Sequence, residues 1–157
     1  MGRSEEITLS LPADVKYAPV LGAALTAMLE EETAESYNIQ LAVHELFTNI
    51  AEHGYSGDLT GQVHCQFVLQ VEQRCFTAVL QDTTPPFSPE MIGWEQTEPH
   101  WATAVSPQGT YHTLKSAPEP DLLQDRGRGF FLISQLTDSL ICHATEAGNE
   151  WTLSKTL

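Results

Sequence analysis

The sequence has few basic residues, few cysteines and no long apolar run. Seven Lys and Arg stand against 21 Asp and Glu, which gives a formal net charge of −14. This charge repels nucleic-acid phosphates and anionic membrane surfaces, so we expect neither as a direct partner. A protein with a basic patch would instead be attracted. No apolar run approaches the roughly 20 residues that span a bilayer, and the first residues are too polar for a signal peptide.

The three cysteines are widely spaced and odd in number, which argues against a disulfide framework and favours the cytoplasm. The adjacent pairs His64–Cys65 and Cys142–His143 lack the spacing of zinc ligands, because adjacent strand residues point to opposite faces. The glycine-rich P-loop ending in Gly-Lys-Ser/Thr is missing, and so are the signature motifs of eukaryotic-type protein kinases.

The 157 residues, 41% of them hydrophobic, are expected to form one domain over 1–157. Hydrophobic periodicity separates candidate helices from candidate strands. The predicted elements are a strand at 7–11, helices at 15–32 and 34–53, strands at 62–71 and 75–81, a helix at 129–136, and strands at 139–144 and 150–157. This order predicts an α+β fold, a two-layer α/β sandwich with helices on one face of a mixed, mostly antiparallel sheet. A turn is predicted at Gly148-Asn149.

The stretch 83–126 shows no regular periodicity and is predicted to be a long loop. It contains seven of the nine prolines of the chain. A loop of this length within a compact domain is usually functional. We expect Trp94 and Trp101 to anchor parts of it, and we expect His100 and His112 to be solvated.

The second predicted helix has a polar stripe formed by Glu45, Asn49 and either Glu52 or His53, which lie on one helix face. Asparagine offers a hard oxygen that suits Mg²⁺. Glutamate can take a proton from an attacking hydroxyl or orient it. An ordinary solvated helix face produces the same pattern, so the stripe alone leaves both interpretations open.

Two further clusters are ambiguous in the same way. Asp82 ends an apolar strand, where its carboxylate can accept a hydrogen bond from an amine such as that of adenine. Aspartate also opens ordinary turns. Gly127, Arg128 and Gly129 stand at the start of an apolar helix, where free backbone amides can bind a phosphate. Arg126 or Arg128 could add positive charge, but a flexible hinge before the helix is the alternative.

In this order the clusters resemble the motifs of the GHKL ATPase superfamily, in the form found in anti-sigma-factor serine/threonine kinases. ELFTNIAEHGY (45–55) is similar to the N box, DTTPPFSP (82–89) to the G1 box, and GRGFFLI (127–133) to the G2 box. GNEWTLSK (148–155) resembles the last strand of the same histidine-kinase-like ATPase domain. The resemblance extends over nearly the whole chain.

The resemblance implies a role for each box. Glu45 would be the catalytic residue that activates a serine or threonine hydroxyl, and Asn49 would coordinate the Mg²⁺ that bridges the ATP phosphates. Asp82 would hold the adenine amino group, and the stretch 88–126 would be the ATP lid. The implied ATP-binding residues are Asn49, His53, Asp82, Thr84, Phe87, Gly127, Arg128, Gly129, Phe131 and Asn149.

The same resemblance implies a cytoplasmic, Mg-ATP-dependent serine/threonine kinase that acts as an anti-sigma factor. Its substrate would be a STAS-type anti-anti-sigma protein, its other partner a sigma factor, and a homodimer is a further implied assembly.

The alternative function is a non-catalytic partner-switching module of the same fold with weak or no nucleotide binding. Thr84 stands where the family has glycine, Ser88 where it has aspartate, and Asn149 where it has threonine. A histidine-kinase catalytic domain is disfavoured, because no helix with a phosphoacceptor histidine precedes the first strand.

Overall fold

A computed structural model describes residues 2–29, 33–94, 97, 100–120 and 127–157. Its strands are β1 (Ser4–Pro12), β2 (Gln62–Gln70), β3 (Cys75–Asp82), β4 (Trp101–Ser106), β5 (Gly109–Leu114), β6 (Ser139–Thr145) and β7 (Gly148–Thr156). Its α-helices are α1 (Ala18–Leu29), α2 (Ala34–Asn49) and α3 (Arg128–Leu136). The strands form one 7-stranded sheet in the order β1-β2-β3-β7-β6-β5-β4. Every neighbouring pair in the described residues is antiparallel.

One face of the sheet shares a single hydrophobic core with the three α-helices. Burial alternates along β2 and β3, so that Phe67 and Phe76 point inward with ring centroids 6.1 Å apart. Burying each such side chain contributes about 1.5–3 kcal/mol. The predicted α+β sandwich is therefore confirmed, with a sheet that is antiparallel in its described pairings rather than mixed.

Thr33 is the N-cap residue of helix α2, and its side chain accepts a hydrogen bond from the backbone N–H of Ser36. Its fully buried residues recur at helical spacing and face the core. At Asn49 the α-helix changes into a π-helical turn over Ile50–Gly54, which the backbone bond from Tyr55 N to Ile50 O closes at 2.9 Å. The predicted helix at 34–53 is thus confirmed, and it ends in a turn type that is frequent at functional sites.

The predicted helix at 15–32 begins with a different type of turn. A 3-10 turn occupies Val15–Tyr17, and α1 proper runs over Ala18–Leu29. Pro19 lies in its first turn, where a missing N–H costs no helical hydrogen bond. Residues 30–32 lie outside the described part of the chain. No helix in the described residues is both long and apolar enough to cross a membrane.

The prediction of a continuous loop over 83–126 is wrong for the segment that forms β4 and β5. These strands make an antiparallel hairpin, and β5 pairs with β6 to extend the sheet. Trp101 is buried, as expected, and so is Trp94. His112 is also buried, and its Nδ1 lies 3.0 Å from the hydroxyl of Thr103, so the expectation that it is solvated is wrong.

The predicted turn at Gly148-Asn149 is displaced by two residues. Glu146 and Ala147 form the turn, and both predicted turn residues lie in β7. Gly148 has φ +142°, and a Cβ there would lie 2.0 Å from the carbonyl oxygen of Asp82. The glycine is therefore needed for close approach of β7 to the end of β3, and not for the turn itself.

Candidate active site between the second and third helices and the sheet

A cavity of about 220 Å³ opens where the π-helical turn after α2, the end of β3, the start of β7 and the start of α3 meet. Most of the predicted ATP-binding residues line it: Asn49, His53, Asp82, Thr84, Phe87, Gly127 and Asn149. Residues far apart in the sequence therefore converge on one concave site. Drug-sized ligands usually occupy roughly 300–1,000 Å³, so this cavity suits one part of a nucleotide better than the whole.

Asp82 lies at the polar end of this cavity and is only 6% exposed. Its Oδ1 accepts from the backbone N–H of Thr84 at 3.0 Å and from the Thr84 hydroxyl at 2.7 Å. The same oxygen accepts from the side-chain amide of Asn149 at 3.1 Å and from its backbone N–H at 3.3 Å. In all four of these hydrogen bonds, Oδ1 is the accepting atom of the Asp82 carboxylate.

Asn149 also ties this carboxylate to the loop after β3. Its Nδ2 lies 3.1 Å from the Thr84 hydroxyl and 3.0 Å from the carbonyl oxygen of Pro85. Its Oδ1 accepts from the backbone N–H of Phe87 at 2.8 Å. The side chain is 5% exposed and contacts both ends of the G1-like segment. It therefore fixes the path of the loop that lines the cavity.

The opposite wall of the cavity is apolar and largely aromatic. Phe87 packs on Trp151 with ring centroids 4.7 Å apart and on Phe130 at 6.0 Å. Ile50 and Ile92 add aliphatic surface to the same lining. A flat ligand group would find apolar contact on this side and hydrogen-bond partners at Asp82. Sequence reasoning missed Phe130 and Trp151, which looked like ordinary core residues of a helix and a strand.

Glu45 and Asn49 meet the start of α3 through Gly129. A Cβ at Gly129 would lie 2.7 Å from Asn49 Nδ2 and 3.3 Å from Glu45 Oε2. A side chain at this position would displace the Asn49 carboxamide from the place that it takes beside α3. Asn49 Nδ2 is buried without a hydrogen-bond partner in the described residues, so its carboxamide is not committed to the fold. The predicted catalytic and metal residues are therefore adjacent, and both face the G2-like segment.

Of the remaining G2-like residues in the predicted site, Gly127 lines the cavity, whereas Arg128 and Phe131 do not. Gly127 has φ +94°, and a Cβ there would lie 2.4 Å from Trp94 Nε1, so the indole covers this glycine. Arg128 is exposed at the first position of α3. Phe131 does not contribute to the cavity lining, and its predicted contact with nucleotide finds no support in its position. Arg126 lies outside the described residues.

Several titratable groups around the cavity have shifted pKa values. Burial lowers the pKa of His112, whereas contact with the Phe87 backbone and the negative charge of Glu90 act in the opposite direction. A hydrogen bond from the Ser88 hydroxyl lowers the pKa of Glu90. Burial, reinforced by the nearby Asp82 carboxylate, raises the pKa of the Cys142 thiol. The pKa shifts of His112 and Cys142 thus favour their neutral forms near pH 7, whereas the lowered pKa of Glu90 keeps its carboxylate ionised.

Tyr55 supports the site from behind, a role that the sequence did not reveal. Its hydroxyl donates to the carbonyl oxygen of Gln62 at 2.5 Å and accepts from the backbone N–H of Thr83 at 3.0 Å. The ring covers Gly61, where a Cβ would lie 2.4 Å from it. Tyr55 therefore joins the end of the π-helical turn to the starts of β2 and the G1-like segment.

This fold and this site define a two-layer α/β domain with a ligand cavity between its helices and one end of its antiparallel sheet. The family model of the histidine kinase-like ATPase domain matches residues 11–155. The chain belongs to that family, and membership implies ATP binding. A comparison with curated proteins finds no match.

Proposed function

We propose that the protein is a Mg-ATP-dependent serine/threonine kinase that acts as an anti-sigma factor. Its substrate is a STAS-type anti-anti-sigma protein. The observation that carries the proposal is the meeting of Glu45 and Asn49 at Gly129, beside a cavity that Asn49 and Asp82 both line. One end of such a site can hold a base and the other can hold phosphates beside a proton acceptor.

Each group has a task that its position allows. Asp82 accepts a hydrogen bond from the exocyclic amine of the base, while Phe87 and Trp151 pack against the ring. Gly127 and the first amides of α3 face the phosphates. Glu45, half-buried beside Asn49, accepts the proton of the attacking hydroxyl. Phosphoryl transfer depends mainly on positioning and charge neutralisation, so few groups are needed.

Asn49 is the residue that would hold Mg²⁺. Its amide N–H₂ group is buried and has no hydrogen-bond partner in the described residues, so it can donate to an anionic ligand but cannot bind a cation. The atom that would take the ion is the carboxamide oxygen, because Mg²⁺ commonly takes one or two protein oxygens together with phosphates and water. The residue type therefore fits the ion. When bound, Mg²⁺ would neutralise charge on the phosphates.

The partners follow from charge and from the resemblance. A net charge of −14 favours proteins with basic surfaces. Phosphorylation of the STAS protein would remove it as a competitor and leave the kinase to hold its sigma factor. We propose that this exchange takes place in the cytoplasm and that the kinase works as a homodimer.

The kinase proposal is tested by incubating the protein with γ-labelled ATP, Mg²⁺ and its cognate STAS protein. Wild type should transfer label to a serine or threonine, and Glu45→Gln should lose transfer by at least about a hundredfold, the usual contribution of a general base. Glu35→Gln is the matched control, because Glu35 is exposed in the first turn of the same helix. A lack of label transfer by wild type and by both variants would contradict the kinase proposal.

A non-catalytic binding module is the second candidate, and one observation favours it. Trp94 covers Gly127, so its indole occupies space beside the expected phosphate position. Calorimetry with ATP and ADP separates the candidates. A partner-binding protein that takes up neither nucleotide would support the module and exclude the kinase.

A further inference from the structure

The carboxylate of Asp82 is held by two residues that depart from the family pattern. Thr84 replaces a glycine and Asn149 replaces a threonine, and both side chains donate to Asp82 Oδ1. The two residues also contact each other, with Asn149 Nδ2 at 3.1 Å from Thr84 Oγ1. All three residues are 5–6% exposed. The two departures therefore form one buried network and are not independent changes.

The donors and acceptors of this network are determined. Asn149 Oδ1 accepts from the Phe87 backbone, so its Nδ2 is the donor, and its two protons are shared among Asp82, Thr84 and the carbonyl oxygen of Pro85. The Thr84 hydroxyl directs its single proton to Asp82 Oδ1, 2.7 Å away. The carboxylate cannot rotate without breaking several bonds at once, which leaves Oδ2 as the oxygen that can accept from a ligand.

The side chain of Thr84 also has a defined place. Its Cγ2 and the hydroxyl Oγ1 both lie 3.4 Å from the position that a Cβ on Gly54 would take. The end of the Thr84 side chain therefore packs against the glycine that ends the π-helical turn. A threonine at this position fills space that Gly54 leaves open, while its hydroxyl donates to Asp82.

We propose that Thr84 and Asn149 are positioning residues that orient Asp82 for a 6-aminopurine. This inference rests on the proposed nucleotide site and deepens it. A fixed acceptor oxygen can accept a hydrogen bond from the amine of adenine but not from a carbonyl oxygen at the same position, because neither acceptor supplies a proton. Thr84 is consequently an adaptation of this pocket, and restoring the family's glycine weakens binding instead of improving it.

The test measures the affinities for ATP and inosine triphosphate, which differ in the group at purine position 6, by calorimetry. Wild type should prefer ATP by about tenfold or more, since a mismatched buried polar group costs at least one hydrogen bond. Thr84→Gly and Thr84→Val should bind ATP about tenfold more weakly, and their preference for ATP should shrink. Thr84→Ser, which keeps the hydroxyl, should retain most of that preference.

Thr83→Gly is the control, because its exposed hydroxyl faces Tyr55 and not Asp82. Its preference should match that of wild type. Wild-type preference in Thr84→Gly and Thr84→Val, or tighter ATP binding by Thr84→Gly, would overturn the inference and leave the proposed function intact. Failure of wild type to bind either nucleotide would instead overturn the proposed function, and this inference with it.

Discussion

Replacing Gly148 by alanine should destabilise the protein at the point where the site is built. The new Cβ would lie 2.0 Å from the Asp82 carbonyl oxygen and 3.0 Å from Thr83 Cα, so the backbone of β3 or β7 must move. Overpacking costs about 1–3 kcal/mol, and the φ of +142° adds backbone strain of about 1–3 kcal/mol. The sum, roughly 2–6 kcal/mol, is a large share of the about 5–15 kcal/mol that stabilises a typical domain.

Gly57→Ala provides a control that separates the clash from the backbone strain. Gly57 also has a positive φ, +81°, but nothing lies within 4 Å of a Cβ there. Its substitution should cost only the left-handed backbone penalty of about 1–2 kcal/mol. Urea unfolding of both variants measures the difference. A free energy of unfolding for Gly148→Ala within about 0.5 kcal/mol of that for Gly57→Ala would refute the close approach of β7 to β3.

Three further predictions concern other parts of the fold. Burial raises the pKa of the Cys65 thiol to about 12 and also raises that of Cys142. Iodoacetamide near pH 8 should therefore label the partly exposed Cys75 first, and mass spectrometry of the native protein would show the order in which the three cysteines are labelled. Tyr55→Phe should lower the free energy of unfolding by about 1–2 kcal/mol in urea, because the hydroxyl makes two backbone hydrogen bonds. Burial holds the folded-state pKa of His112 below the ordinary 6.5, so the unfolded chain takes up the proton first as the pH falls. Between about pH 7 and pH 5.5, the free energy of unfolding of wild type should therefore fall more than that of His112→Gln.

The fold was largely predictable because its main elements carry strong hydrophobic periodicity. Helix α2 and strands β2 and β3 each bury one face, and both patterns are regular enough to read. The β4–β5 hairpin was not predictable in this way. Its strand residues are mostly Ala, Thr, Ser and Val, and only one or two side chains per strand reach the core. The prolines around it lie outside its strands, where they do not disturb pairing.

The candidate site was predictable where a motif carries the chemistry. Glu45, Asn49 and Asp82 are polar residues in recognisable contexts; Asn49 and Asp82 line the cavity, and Glu45 lies beside Asn49 at Gly129. Phe130 and Trp151 gave no such signal, because an aromatic residue that lines a cavity has the same sequence pattern as one in the core. Only the three-dimensional arrangement separates the two.

The role of the residues that depart from the family pattern could not be predicted from the sequence. In the sequence, Thr84 and Asn149 were two separate departures from the motifs that the chain resembles. In the structure they hydrogen-bond to each other and to Asp82, so each explains the other. Side-chain pairs that bridge distant segments, here 65 residues apart, leave no local signal in a single sequence.

The central claim, that the cavity binds Mg-ATP through Asn49, is tested most directly by calorimetry with and without Mg²⁺. Wild type should bind ATP more tightly when Mg²⁺ is present, and Asn49→Ala should lose that increment. Asn38→Ala, about three turns earlier in the same helix, should behave like wild type. An absence of ATP binding in wild type, or an undiminished Mg²⁺ increment in Asn49→Ala, would contradict the claim.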